Sequence, residues 1–374
     1  MIVLDGTSGI TSPAETVTGQ FSSGSTFANK NRIINGGMVI DQRNAGASVT
    51  PTIGGYCLDR WYQDRTVASK FSIQQNAGAI TPPVGFSNYL GITSLSAYSV
   101  LTGDTFLFDQ KIEGFNTADL AWGTVNAQAV TLSFRVYSSL TGTFGGALTN
   151  SAVNRSYPFS YSIPVANTWT TISVTIAGDA TGTWIGATNG IGVEVRFGLG
   201  SGATYSGTAG SWQAGNIVQP TGSVSVVGTS GATFYITGVQ LEKGSVATSF
   251  DYRPYGTEFA LCQRYTFIPC NKVVNQALGF GQAISTTSAQ IYVRFPVEMR
   301  TAPSLSWSSG ATDFLALTPT GTSAGFVTTL VIGPSSSNGC RVDTTLASGL
   351  TSSTATAIQV ANVGVSQIIL SAEL

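Results

Sequence analysis

Val130-Thr131-Leu132-Ser133-Phe134-Arg135-Val136-Tyr137 alternates an apolar with a polar residue at every step. Successive side chains of a strand point to opposite faces, so this period of two describes a strand with one face in a core and one in water. The pattern returns at 171–176, where Ile172, Val174 and Ile176 alternate with Thr171, Ser173 and Thr175. It returns again where Ile191, Val193, Val195, Phe197 and Leu199 alternate with Gly192, Glu194, Arg196 and Gly198. Turn clusters such as Gly178-Asp179-Ala180-Thr181-Gly182 separate these runs. Many such strands over residues 31–255 predict two antiparallel sheets packed as a jelly-roll β-sandwich.

Working outward, residues 256–266 read as a short linking helix. Thr257 is placed to cap it, Glu258 suits the positive end of its dipole, and Phe259, Cys262 and Thr266 form a narrow apolar stripe. From 267 the strand pattern resumes: Ile291, Val293, Phe295 and Val297 alternate with Tyr292, Arg294, Pro296 and Glu298. Pro296 marks an edge or a strand end. Further strands are expected over 326–332 and 364–370. A smaller C-terminal β-sandwich over 267–374 follows, so the fold class is all-β. Residues 1–30 hold only short apolar pieces, Ile2-Val3-Leu4, Ile10 and Val17, between turn signals. They are expected to be an N-terminal segment that needs another chain to bury it.

Composition narrows the chemistry. Charged residues are 9% of the 374, with 17 Lys and Arg against 18 Asp and Glu. Nucleic-acid binding through the phosphate backbone needs a basic excess that is missing. No apolar run approaches the ~18 residues of a membrane span, so no membrane insertion is expected. The N-terminal Met1-Ile2-Val3-Leu4-Asp5-Gly6 lacks the basic and apolar regions of a signal peptide, and synthesis in a cytoplasm is expected. Histidine is absent, which excludes Ser-His-Asp triads, Cys-His dyads and histidine metal sites. Cys57, Cys262, Cys270 and Cys340 show no C-x-x-C spacing and read as buried free thiols. No phosphate-binding glycine loop and no EF-hand loop occurs, so neither a cofactor nor a metal is expected.

Acid–base chemistry is left to carboxylate pairs. Asp59 with Asp64, Asp104 with Asp109, and Glu113 with Asp119 are the candidates for glycoside hydrolysis, which needs two carboxyls about 5–10 Å apart. Asp59 has Arg60 beside it, and structural ion pairing is the competing role for each. Tryptophans in glycine-rich surroundings, Trp122, Trp184 and Trp212, are candidates to stack on sugar rings; plugging the ends of the sandwich is the competing role. Trp307 and Phe314 are further stacking candidates near the loops Thr320-Gly321-Thr322-Ser323 and Ser335-Ser336-Ser337-Asn338-Gly339. Those loops could offer hydroxyl and amide hydrogen bonds to a glycan, or could be solvated hairpin turns.

Three passages together resemble a known family. They are Asn31-Arg32-Ile33-Ile34-Asn35-Gly36-Gly37-Met38 with Asp41-Gln42-Arg43 and Asp59-Arg60-Trp61; Phe234 to Gly244 continuing through Ala247-Thr248-Ser249-Phe250-Asp251-Tyr252-Arg253-Pro254; and Glu258-Phe259-Ala260-Leu261-Cys262-Gln263-Arg264-Tyr265. This order resembles the carbohydrate-binding-module-like jelly roll of tail fibres and other receptor-binding proteins of tailed bacteriophages. Val293 to Pro303 is similar to the opening of the C-terminal β domain that follows in such proteins, and Leu4 to Ile10 is weakly similar to their N-terminal segments. The resemblance implies a virion tail protein, a homotrimer, a phage tail or baseplate partner reached through residues 1–30, and host surface polysaccharide as the ligand. With the N-terminal segment as the anchor, a non-catalytic adhesin is expected whose hydroxyl-rich C-terminal loops make residues 267–374 the receptor-binding tip. A glycan-cleaving tailspike, a capsid decoration protein and a purely structural tail component are the alternatives. No 20–30-residue repeat of the kind tailspike β-helices carry is present.

Overall fold

A computed structural model describes residues 29–374 except Val363 and Val365. The attachment segment expected over 1–30 therefore lies outside the described residues, apart from Asn29 and Lys30.

The quoted alternation builds what it predicts. Val130–Ser138 lies between Thr233–Lys243 and Thr170–Ile176 in a five-stranded sheet completed by Leu90–Ser94 and Phe71–Gln75. Opposite it stands a seven-stranded sheet, in the order Gly55–Leu58, Trp61–Arg65, Thr105–Glu113, Ile191–Ser201, Gly142–Thr149, Arg155–Ile163 and Gln213–Ala214. Every pairing within these two sheets is antiparallel. Neighbours in space are mostly not neighbours in sequence, as a jelly roll requires.

The apolar parity of each strand fills the gap between the sheets. Phe197 stacks on Phe108 at 5.1 Å and takes Phe134 of the other sheet edge-on at 5.2 Å. Trp61 is fully buried against both Phe108 and Phe197. Such pairs contribute ~0.5–1.5 kcal/mol each beyond area burial. Gly238 (φ +62°) sits at a bulge in Thr233–Lys243; a Cβ there would approach the Phe86 ring to 2.5 Å, and the left-handed backbone already disfavours one.

Residues from Cys270 to Ala372 form a second core. Three strands, Thr266–Asn271, Gln367–Ser371 and Ser304–Trp307, make a small sheet. Six more close on themselves in the order Ala277–Ala283, Ser288–Arg294, Gly339–Leu346, Ser323–Ser335, Phe314–Leu317 and Ala355–Val360. The β class holds here too, but closure into a barrel, rather than two open facing sheets, was not anticipated. Register shifts interrupt the thirteen-residue strand Ser323–Ser335 three times, which lets it bend around the barrel, and small inward residues such as Ala283, Ala289 and Ala316 fit the narrow interior. Pro296 lies just past the strand end at Arg294, where no ladder N–H is needed.

The linking helix is Tyr255–Gln263, displaced one residue N-terminal and three residues shorter than expected at its end, because Thr266 already opens a strand. Pro254 is the N-cap residue, so Thr257 falls inside the first turn and caps nothing; its N–H bonds to the Pro254 carbonyl. Glu258 is buried, pairs with Arg253 at 3.1 Å and accepts the Asn35 N–H. It is a cross-chain anchor as well as a first-turn acid.

Around this helix, charge concentrates between the jelly roll and the second core. Glu113 accepts hydrogen bonds from Arg264 Nη2 (2.6 Å) and Nε (3.0 Å) and from the Tyr265 hydroxyl (2.7 Å). Arg60, fully buried, pairs with Glu373 and lies 3.5 Å from the centre of the Tyr265 ring. Arg43 reaches Glu373 at 3.3 Å, and Arg300 donates to the carbonyls of Ala372, Glu373 and Asn189. Groups so enclosed are costly unless each has its partner, so the network fixes how the two parts meet.

Candidate functional site

The carboxylates come first, because a hydrolase would need two of them free in a cleft. Asp59 is enclosed with Gln42 and Arg43. Burial pushes its pKa up to about 7, against the opposing pull of Arg43. Asp64, its expected partner, is exposed and lies 3.8 Å from Arg65. Asp104 accepts from the Tyr98 hydroxyl (2.7 Å), the Leu101 N–H (2.9 Å) and the Thr66 hydroxyl (3.0 Å). Asp109 is 1% exposed, and burial first, then the Glu194 charge, hold its carboxyl well above the usual range. Glu194 is itself clamped by Arg196 at 2.7 Å. Glu113 belongs to the junction just described. Asp119 pairs with Arg32 at 2.8 Å. Asp59, Asp104, Glu113 and Asp119 are thus each held by structural partners, while Asp64 is exposed and Asp109 is buried with its Oδ1 unpartnered.

The three loop tryptophans are brought together. Trp122, Trp184 and Trp212 meet edge to face at 4.7, 5.3 and 5.2 Å, with Tyr157 on the far side of Trp212. Their indole N–H groups donate to the carbonyls of Gln128, Thr181 and Ala177. Trp122 is 7% exposed, so its ring offers no face to a ligand; Trp184 and Trp212 are half-buried against it. The void beside them is about 40 Å³, too small for a sugar ring. The group plugs the end of the sandwich. In the second core Phe314 is fully buried, which corrects its assignment as a stacking platform: its strand turns it into the barrel, where Trp307 packs on it at 6.1 Å.

The two Ser/Thr/Gly loops separate. They lie at opposite ends of the strand Ser323–Ser335, about 40 Å of extended chain. Ser337 donates to Glu298 at 2.9 Å, and Met299 N–H bonds to the Ser337 carbonyl, next to Arg300 and the junction. The loop 318–323 is at the other end, and two further loops join it there. Ser352 Oγ donates to the Ile284 carbonyl at 3.0 Å, and the N–H groups of Leu346 and Leu350 bond to the carbonyls of Thr287 and Thr286. Gly349 (φ +108°) lies so close to the Ala324 carbonyl that a Cβ would stand 1.9 Å from its oxygen. Residues 284–288, 318–323 and 347–354 therefore converge at the barrel end away from the jelly roll. They contain no charged and no aromatic side chain. The hydroxyls of Thr318, Thr320 and Thr322 lie 2.7–3.2 Å apart, and the rim is largely exposed.

Sequence reasoning placed Tyr292 on the polar parity of its strand without singling it out. Phe280, its partner across the ladder, lies on the glycine-bearing strand Ala277–Ala283. Both stand exposed on the outside of the barrel. An aromatic at a water-facing parity was the available signal.

Among the described residues no three Cys, Asp or Glu gather as a metal site, and no helix is long and apolar enough to cross a membrane.

No protein-family model matches the chain, and no curated protein is similar to it at a significant level. Solved structures are similar in part. The enzymatically active domain of bacteriophage CBA120 tailspike protein 4 aligns at 15% identity and TM-score 0.31, over 57% of this chain and 22% of that one. A CBM61 module bound to β-1,4-galactotriose aligns at 8% identity and TM-score 0.29, over 58% of this chain and all of the module. The family 11 carbohydrate-binding module of Clostridium thermocellum, in complex with a β-1,3-1,4-mixed-linked tetrasaccharide, aligns at 9% identity and TM-score 0.26, over 53% and 99%. The chain thus spans about a fifth of the tailspike and nearly the full length of the modules.

Proposed function

We infer that the chain is a phage tail fibre protein that attaches the particle to host surface glycan without cleaving it. Residues 1–30 dock on a tail or baseplate protein, the jelly roll forms the body, and residues 267–374 present the receptor-binding tip. The assembly is a parallel homotrimer on the virion tail, made in the host cytoplasm. The observation that carries this reading is the convergence of three charge-free, hydroxyl-rich loops at the barrel end away from the jelly roll. Such a rim offers a polyhydroxyl ligand donors and acceptors without a charge to desolvate. Three copies multiply weak single-site contacts by ~10²–10⁴ through avidity. The structural contacts that hold Asp59, Asp104, Glu113 and Asp119, one member or more of each candidate pair, support binding over hydrolysis.

Pre-incubating bacteria with the purified full chain should block adsorption of particles that carry it. Antibody against the chain should label tails, and light scattering should give three chain masses. Labelled heads would favour a capsid decoration protein, unblocked adsorption a purely structural tail component, and a stable monomer would remove the trimer.

A further inference from the structure

One outer face of the barrel sets two large exposed aromatics side by side. Ser288–Arg294 runs between Ala277–Ala283 and Gly339–Leu346, and the register sets Phe280, Tyr292 and Arg341 in one row and Gln282, Gln290 and Asp343 in the next. Directly paired residues share a face. The alternate residues, Ala289, Ile291, Val293 and Val342, are buried, so this row-by-row set is the outward face. Phe280 is 77% exposed and Tyr292 63% exposed. Large aromatics at water-facing positions cost solubility, and two side by side with a polar surround form the kind of exposed apolar patch that marks an interaction site. The Tyr292 end opens into a depression of about 950 Å³ lined by Tyr292, Arg294, Pro296, Glu298, Asn338 and Arg341. That is within the ~300–1,000 Å³ of small-ligand sites.

The lining chooses among occupants. Arg294 and Arg341 are balanced by Asp343, which pairs with Arg341 at 2.8 Å, and by Glu298, so the face is neutral overall. A nucleic acid would need a basic excess. An obligate protein interface would be more apolar at its centre, whereas here two glutamines and an ion pair interrupt the rings and would be stranded under an apolar cover. A sugar matches both halves: its C–H face lies on an aromatic ring while its hydroxyls meet amides and guanidinium groups. We propose that this face and the adjoining depression form a stacking site for a neutral oligosaccharide, separate from the loop rim at the barrel end. The inference rests on the glycan-binding reading above and adds to it a place and a ligand class.

The test is a glycan array of neutral gluco-, galacto-, manno- and xylo-oligosaccharides with acidic counterparts, probed with the full chain, followed by titration calorimetry on the strongest binder. Tyr292→Ala and Phe280→Ala each should weaken a neutral oligosaccharide at least about tenfold. Both side chains are exposed, so melting and light scattering should match the parent. Undiminished binding in both variants overturns the site and leaves glycan binding standing. Binding of acidic oligosaccharides alone overturns the neutral ligand class, again with glycan binding intact. Failure to bind any array member overturns both readings. Dissociation of an oligomer by either variant shows instead that a second copy covers this face, and overturns the site.

Discussion

Replacing Glu113 by alanine removes the acceptor on which the junction turns. Its side chain is 2% exposed, and it holds Arg264 through two hydrogen bonds and Tyr265 through a third. Deleting one partner of a buried pair costs about 3–5 kcal/mol. Arg264 is 31% exposed and regains part of its hydration, which lowers that cost, while the Tyr265 hydroxyl is left without its acceptor, worth about 1–3 kcal/mol. The net expectation is about 3 kcal/mol. For a protein of this size that is a fall in melting temperature of about 4 °C. Scanning calorimetry should show the fall, with the barrel transition separating from that of the jelly roll. Arg264→Leu should cost less when Glu113 is already alanine, with a coupling of about 1–3 kcal/mol. pH supplies a second check. Burial pushes the Glu113 carboxyl up, but the hydrogen bonds from Arg264 and Tyr265 outweigh it and hold it below the ordinary 4.5. Its contribution is therefore complete above that value and is lost as pH falls through the folded-state pKa. A Glu113→Ala protein that melts within about 1 °C of the parent at pH 7 would refute the junction as a source of stability.

Three further outcomes follow from the same geometry. Asp59, raised to about 7 from 3.8, binds its proton more tightly folded than unfolded, so stability falls as pH rises from 4 to 7. Asp59→Asn should flatten that slope, seen in denaturant midpoints at pH 5 and 8; an unchanged slope would contradict the shift. Trp122→Ala should cost about 3–5 kcal/mol by opening the rim plug, and adsorption blocking should survive at a temperature where the variant is folded. Lost blocking by a folded variant would return Trp122 to the ligand site. All four cysteines are buried, with Cys57 and Cys270 pushed up to about 12 and Cys340 to about 11 by burial. A thiol reagent should find none in the native chain and four after denaturation, whereas rapid native labelling would show that a core opens.

The sequence was most readable where one side chain in two is apolar. Val130–Ser138, Thr170–Ile176 and Ile191–Ser201 lie where their alternation put them. The barrel was not readable, because the same alternation serves an open and a closed sheet; closure depends on register and bulges along Ser323–Ser335. The junction was hidden for another reason. Asp59-Arg60, Glu113, Arg264 and Glu373 are far apart in the chain, and only the fold joins them. Several of the motif residues behind the family resemblance, Arg43, Arg60, Glu258, Arg264 and Tyr265, turn out to anchor this region, so they serve the fold and do not point to a ligand. The tryptophan-bearing loops stand out by their glycine-rich surroundings, but a sequence does not show that their three rings point at one another. Tyr292 was legible in principle as an aromatic on the wrong parity.

A fibre that binds glycan without cleaving it leaves a distinctive signature on the polymer. The most direct measurement incubates the full chain with end-labelled host surface polysaccharide and follows fluorescence polarisation and polymer length in the same samples. A saturable rise in polarisation is expected, with the length distribution unchanged over hours. Progressive shortening of the polymer, or no rise at saturating protein, would contradict binding without cleavage.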